Sequence, residues 1–219
     1  MHLPEPVQRA FAKLDQPTDA YVRNYLTLRK LIGILGLALP VVLYAGARWL
    51  FTEAHQATIS AYYYTGMRDV FVGILWAIGV FLVCYKGARE WDNVASTVAG
   101  ACAILVALFP TDQGTAAHTF AGRVHIYSAA AFFLTITLMT LFLFHNRGKK
   151  AWANWIYRLC AGAMALSLVV MFFTQVSFLW EAVAVVAFGA AWLVNGVEKW
   201  KAPEDRPQKA EQKAYSAFA

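Results

Sequence analysis

Six long apolar runs, at 31–51, 70–85, 94–109, 124–144, 156–174 and 178–196, are separated by short polar segments. Crossing ~30 Å of hydrocarbon takes about 20 mostly apolar residues, and hydrocarbon offers no partner for open backbone groups, so each run predicts a transmembrane helix. The second and third runs are short, and their ends are expected in the interface or against protein. The pattern predicts an all-α, polytopic membrane protein: a bundle of six transmembrane helices over 29–197. Residues 1–28 are polar, with a helix start at Pro17-Thr18-Asp19, and read as a cytoplasmic segment with an interfacial helix leading into the first span. Residues 198–219, with Pro203, Pro207 and many charges, read as a disordered cytoplasmic tail. The first run is too long for a signal-peptide core and ends at Arg48-Trp49-Leu50-Phe51 without a small-residue cleavage site, so it predicts a retained anchor. No internal repeat supports an inverted-repeat transporter.

Charge orients this frame. Of 19 Lys and Arg residues, 16 fall in residues 1–30, 86–91, 146–158 and 197–219; the other three are Arg48, Arg68 and Arg123. Loops flanking spans keep their cations in the cytoplasm, so both termini are expected there. Glu53, His55, Asp69, Asp112, His118, His125 and Glu181 then gather at the outward end. Trp49 and Tyr62-Tyr63-Tyr64 mark the outer interface; Trp91, Trp152, Trp155 and Trp200 mark the inner one.

The net charge of +6 follows from the cytoplasmic loops and does not point to nucleic acid as a partner. Cys84, Cys102 and Cys160 are scattered through spans without CxxC spacing and read as packing residues. Small residues, including the Ser96/Gly100 pair, Gly162-Ala163 and Gly189-Ala190-Ala191, predict close helix contacts. Pro40 predicts a kink in the first span.

Glu181 sits about one turn inside the sixth span, where a carboxylate must face the bundle or interact with the helix N-terminus. Asp69 is in the position of a first-turn acid of the second span. Arg68 beside it has three readings: pairing with an acid, holding an anion by its fork, or snorkelling. Asp112, His118, Arg123 and His125 make residues 110–124 the richest segment. A fourth helix starting near Thr115 would put His118 and His125 on one face, with Ser128 one turn beyond. Seven residues is wider than the i, i+4 grip on a metal, so zinc on His118, His125 and Asp69 needs help from other helices. Glu53 to Thr65, with His55, Ser60 and three tyrosines, reads as a cover over the outer face.

Two stretches carry a resemblance: Thr58-Ile59-Ser60-Ala61-Tyr62-Tyr63-Tyr64-Thr65-Gly66-Met67-Arg68-Asp69-Val70-Phe71-Val72-Gly73, and Leu108-Phe109-Pro110-Thr111-Asp112 followed by His118 and His125. Together they resemble an uncharacterised family of bacterial six-span membrane proteins and, more distantly, the DRAM-type family. This implies a six-helix bundle in a bacterial inner (plasma) membrane and supplies no activity. A remoter similarity is to the alkaline ceramidase and progestin-receptor superfamily, which implies Ser60, Asp69, His118 and His125 as residues of matching type around zinc. This chain departs from that superfamily in having six spans and no terminal HxxxH.

Three functions follow as expectations. The first is an outward-facing polar site of Arg68, Asp69, Asp112, Arg123, His125 and Glu181 that binds or transports a lipid head group or small solute. The second is a structural or accessory subunit for other membrane subunits. The third is a metal-dependent hydrolase acting on membrane lipid, with metal-activated water.

Overall fold

The computed structural model describes residues 19–87, 89–113, 119–144, 151–174 and 177–197. Among them the regular secondary structure is all helical: α1 Asp19–Leu50, α2 Arg68–Cys84, α3 Glu90–Leu108, α4 Phe120–Leu138, α5 Ala151–Phe173 and α6 Phe178–Val197, with a 3-10 helix at Ser60–Tyr64. Five helical stretches are long and apolar enough to cross a membrane: Leu26–Leu50, Glu90–Leu108, Phe120–Phe142, Ala151–Phe173 and Phe178–Val197. α2 is apolar too, but its 17 residues rise only about 26 Å at 1.5 Å each.

Two boundaries differ from the sequence expectation. The third run is not short, because α3 begins at Glu90, where the Asp92 carboxylate accepts the Arg89 N–H at 3.1 Å. α4 does not begin near Thr115. Thr119 caps it, with extended backbone (φ −69°, ψ 166°) and a side-chain oxygen that accepts the Gly122 N–H at 3.0 Å. His118, and with it the expected shared face of His118 and His125, lies outside the described residues. α1 is one unbroken helix from Asp19, so the segment before the first span runs into it without a break in helical structure.

Each helix packs on its neighbours in sequence, and the contact of α1 with α6, the most extensive of all, closes the ring. That contact is made by glycine. A Cβ on Gly33 would lie 2.5 Å from the Leu193 nitrogen, and one on Gly189 would lie 2.6 Å from the Leu37 nitrogen. Gly79 and Gly100 do the same for α2 and α3, each with its would-be Cβ under 3 Å from the other's carbonyl oxygen. In lipid no hydrophobic drive separates helix from solvent, so such backbone approach and its dispersion contacts are what hold helices together. Gly162 is exposed, with no atom within 4 Å of its would-be Cβ, and takes no part in such an interface.

Two cores fill the ring. One centres on Ile78, Leu82, Tyr85, Phe132, Tyr157, Phe188 and Trp192; the other on Leu43, Ala47, Ile59, Tyr62, Met67 and Phe71, beneath the α1–α2 loop. We call the end that carries this loop the loop end and the opposite one the terminal end. Trp49, Phe172 and Phe173 stand almost fully exposed around the bundle, as lipid-facing residues do. α4 runs on into a wider π-helical turn at Met139–Leu143, with Thr140 fully buried.

Candidate functional site

The loop end is built by folding residues 51–67 back over the bundle. α1 stops at Leu50, and Thr52 takes a left-handed conformation (φ 54°) that reverses the chain. The Glu53 N–H then donates to the Ala47 carbonyl at 2.9 Å, and the Glu53 carboxylate accepts the Gly66 N–H at 3.0 Å. The two ends of the loop are thus tied by one residue. α6 supplies the floor. Its Phe178 N–H donates to the Ala57 carbonyl at 2.6 Å, and the Glu181 carboxylate accepts the Ile59 N–H, the Ser60 N–H (3.3 Å) and the Ser60 hydroxyl (3.5 Å). Glu181 thereby caps the 3-10 helix from another element, meeting the open donors of its first turn.

Around Phe178 the rings of Tyr44, His55 and Tyr62 close an aromatic corner. His55 meets Tyr44 and Phe178 edge-on at 5.3 and 4.7 Å, and the Tyr62 hydroxyl lies 3.4 Å from His55 Nδ1. Burial pushes the Tyr62 phenol above its ordinary range, so it stays protonated.

Two openings meet at this corner. A notch of about 20 Å³ is lined by Tyr44, Ala47, Arg48, Glu53, His55 and Tyr62 among others. Below it, a groove of about 500 Å³ runs between α1 and α6, walled by Pro40, Val41, Tyr44, Ala45, Phe178 and Val186, with Arg48 and Trp49 at its mouth. Tyr44 and Arg48 line both, so notch and groove are neighbours that share these two side chains. The groove exists because α1 and α6, locked together at Gly33, Gly36 and Gly189, carry larger side chains toward the loop end. Arg48 is exposed and makes no hydrogen bond or ion pair among the described residues. One carboxylate oxygen of Glu53, Oε2, is buried with no hydrogen-bond partner among them.

The residues expected from sequence distribute as follows. Glu181 and Ser60 come together. Asp112 accepts from the Thr119 N–H at 3.2 Å and from its hydroxyl at 2.6 Å, fastening the loop before α4. His125 is 3% exposed, with Nδ1 2.7 Å from the Phe109 carbonyl, across the same turn. The Tyr64 hydroxyl donates to the Thr111 carbonyl at 2.6 Å, joining the two loops. Arg68 donates to the Tyr63 hydroxyl at 2.9 Å and lies over its ring at 4.6 Å. Asp69 and Arg123 are exposed on the first turns of α2 and α4. No three His, Cys, Asp or Glu among the described residues are grouped as metal ligands.

Sequence reading did not single out Tyr44, and it counted Arg48 only as one of three basic residues on the outward side. It also counted Arg29 among the cytoplasmic cations. Arg29 is 6% exposed, donating to the Tyr85 hydroxyl (3.4 Å) and the Asn195 carbonyl (3.5 Å). The buried, polar Asn195 near the end of the sixth span was the available signal that the terminal end holds a polar cluster.

Neither a curated protein nor a solved structure matches the chain. The long apolar helices make it an integral, multi-pass membrane protein. A family model described as a protein of unknown function, DUF998, matches residues 31–197, from the first span to the end of α6, and the chain belongs to that family.

Proposed function

We propose that the protein spans the membrane six times with both termini in the cytoplasm, and that its loop end faces outward and binds a lipid head group or small solute. The domain division is then a cytoplasmic segment at 1–28, the bundle at 29–197 and a cytoplasmic tail at 198–219. The observation that supports the binding reading is that the notch and the groove lie side by side and share Tyr44 and Arg48 as lining. A cation that makes no ion pair among the described residues sits where apolar walls give way to polar ones, a combination suited to an amphipathic ligand. Arg presents a planar fork of donors and is weakly hydrated, which suits it to anionic groups at an interface.

This reading moves the site from the residues expected first. Glu181, Asp112 and His125 spend their polar atoms on loop backbone, and Arg68 on Tyr63. They support the site by holding its cover, in the way second-row groups hold a binding residue.

The test is native mass spectrometry of protein purified in mild detergent. We expect a co-purifying ligand in the wild type that is lost in Arg48→Ala, with both proteins eluting alike on size exclusion. A wild type carrying nothing, together with no thermal stabilisation by added lipids or solutes, sinks the proposal.

A further inference from the structure

Resting on that reading, we infer that the notch is an anion site whose affinity rises as the outer medium turns acid, because His55 then lends it a second positive charge beside Arg48. Both side chains line the notch, together with Tyr44, Glu53 and Tyr62. Histidine is the side chain that ordinarily gains its charge between about pH 8 and about pH 5. His55 is exposed, so its ring exchanges protons with the medium at the loop end.

A fixed position turns that charge into a binding element. The imidazole meets Tyr44 of α1 at 5.3 Å and Phe178 of α6 at 4.7 Å, both edge-on, and its Nδ1 lies 3.4 Å from the Tyr62 hydroxyl. Three elements thus hold one ring, and Nε2 is the nitrogen that this hydroxyl does not engage. The titratable and charged groups around it are few. α1 brings Arg48 and Tyr44, the loop brings Glu53, and the 3-10 helix brings Tyr62, whose phenol stays protonated. α6 brings the uncharged Phe178, while its Glu181 is turned to Ile59 and Ser60.

The sign follows from these groups. With His55 neutral, Arg48 and Glu53 cancel, and the lining has no net charge to offer an anion. With His55 protonated, the same lining is positive. The Glu53 carboxylate serves the loop, one oxygen accepting the Gly66 N–H and the other buried. The chemistry recognised is a singly charged oxyanion such as a phosphodiester, which a guanidinium fork and an imidazolium bind together. Such a group comes on a lipid or on a free solute.

The experiment uses the full chain in mild detergent and two tritiated phosphodiesters, phosphatidylglycerol and water-soluble glycerophosphoglycerol. Binding is read by scintillation proximity at about pH 8 and about pH 5. A phosphodiester keeps its single charge across this range, so a change in affinity belongs to the protein. Wild type is expected to bind about tenfold tighter at the acid end, the scale of one hydrogen bond to a charged group. Gain with the lipid alone assigns the site to a head group, and equal gain with both assigns it to a free anion. His55→Gln still offers Tyr62 a hydrogen bond but takes no charge, and is expected to show no gain in acid. His55→Lys is charged throughout, and is expected to bind at the alkaline end as tightly as wild type does in acid. A merely structural histidine gives no reason for that tightening.

Equal wild-type affinity at the two pH values, or a gain that persists in His55→Gln, overturns the proton-linked anion site. The outward site stands in that case where Arg48→Ala still loses its co-purifying ligand. Failure of both phosphodiesters to bind at either pH also overturns the inference, and the outward site is then judged by the co-purification test.

Discussion

Glu181 accepts two backbone N–H groups and a hydroxyl from a loop that precedes it by more than 110 residues in the chain. Replacing it with alanine leaves those donors without an acceptor in a partly buried place, at about 1–3 kcal/mol for each one stranded. We expect Glu181→Ala to lower thermal stability and to speed hydrogen exchange at Ile59 and Ser60, and Glu181→Gln, which keeps an acceptor oxygen, to do much less. Unchanged exchange at those two amides would count against the capping role. Little of this was legible beforehand. An acid in the first turn of a span suggests a polar partner, but a carboxylate is equally at home on its own helix N-terminus. Only the fold shows that the 3-10 helix takes it instead. His125 makes the same point: its type suggests metal or proton chemistry, and its position across a turn from the Phe109 carbonyl gives it a bond of ordinary structural kind.

At the scale of elements, periodic apolar runs are enough to place helices, because the bilayer forbids open backbone. Their ends depend on short-range chemistry that is harder to read. The start of α4 turns on Thr119, which caps the helix by accepting the Gly122 N–H while its own hydroxyl donates to Asp112, seven residues earlier. Which glycines matter is also a matter of partners. Gly189 and Gly162 look alike as small residues in apolar runs, yet one meets the Leu37 and Gly33 backbones and the other meets open space. Gly189→Ala is therefore expected to cost about 1–3 kcal/mol by forcing α1 from α6. Gly162→Ala should be neutral or stabilising by up to about 1 kcal/mol, since alanine is the better helix former. Unfolding of the two variants in the same detergent checks both, and equal losses would sink the glycine interface.

For the whole molecule, the ring closed by α1 and α6 explains why the groove lies where it does. The first and last helices are joined through backbone near the terminal end and separated by Tyr44, Phe178 and Val186 near the loop end. The orientation proposed for this ring predicts that Ala57→Cys, at an exposed loop position, reacts with a membrane-impermeant maleimide in intact cells. The native, exposed Cys84 at the terminal end should react only after permeabilisation. The reverse pattern would invert the bundle and turn the proposed site to the cytoplasm.

The sequence by itself determined that this is an all-helical membrane protein, roughly where its helices run, and that Glu53, His55, Asp69, Asp112, His125 and Glu181 collect at one end. Those properties follow from composition along a line, because the bilayer acts on each segment separately. What only the tertiary structure decided is which polar atoms are consumed by backbone and which are left to meet a ligand. Arg29 passes from surface charge to buried donor, and Glu181 and His125 from candidate ligands to loop anchors. Arg48 passes from one of three outward cations to part of a groove's lining. Each of these reversals rests on a partner distant in sequence, and linear pattern carries no information about which distant residues meet.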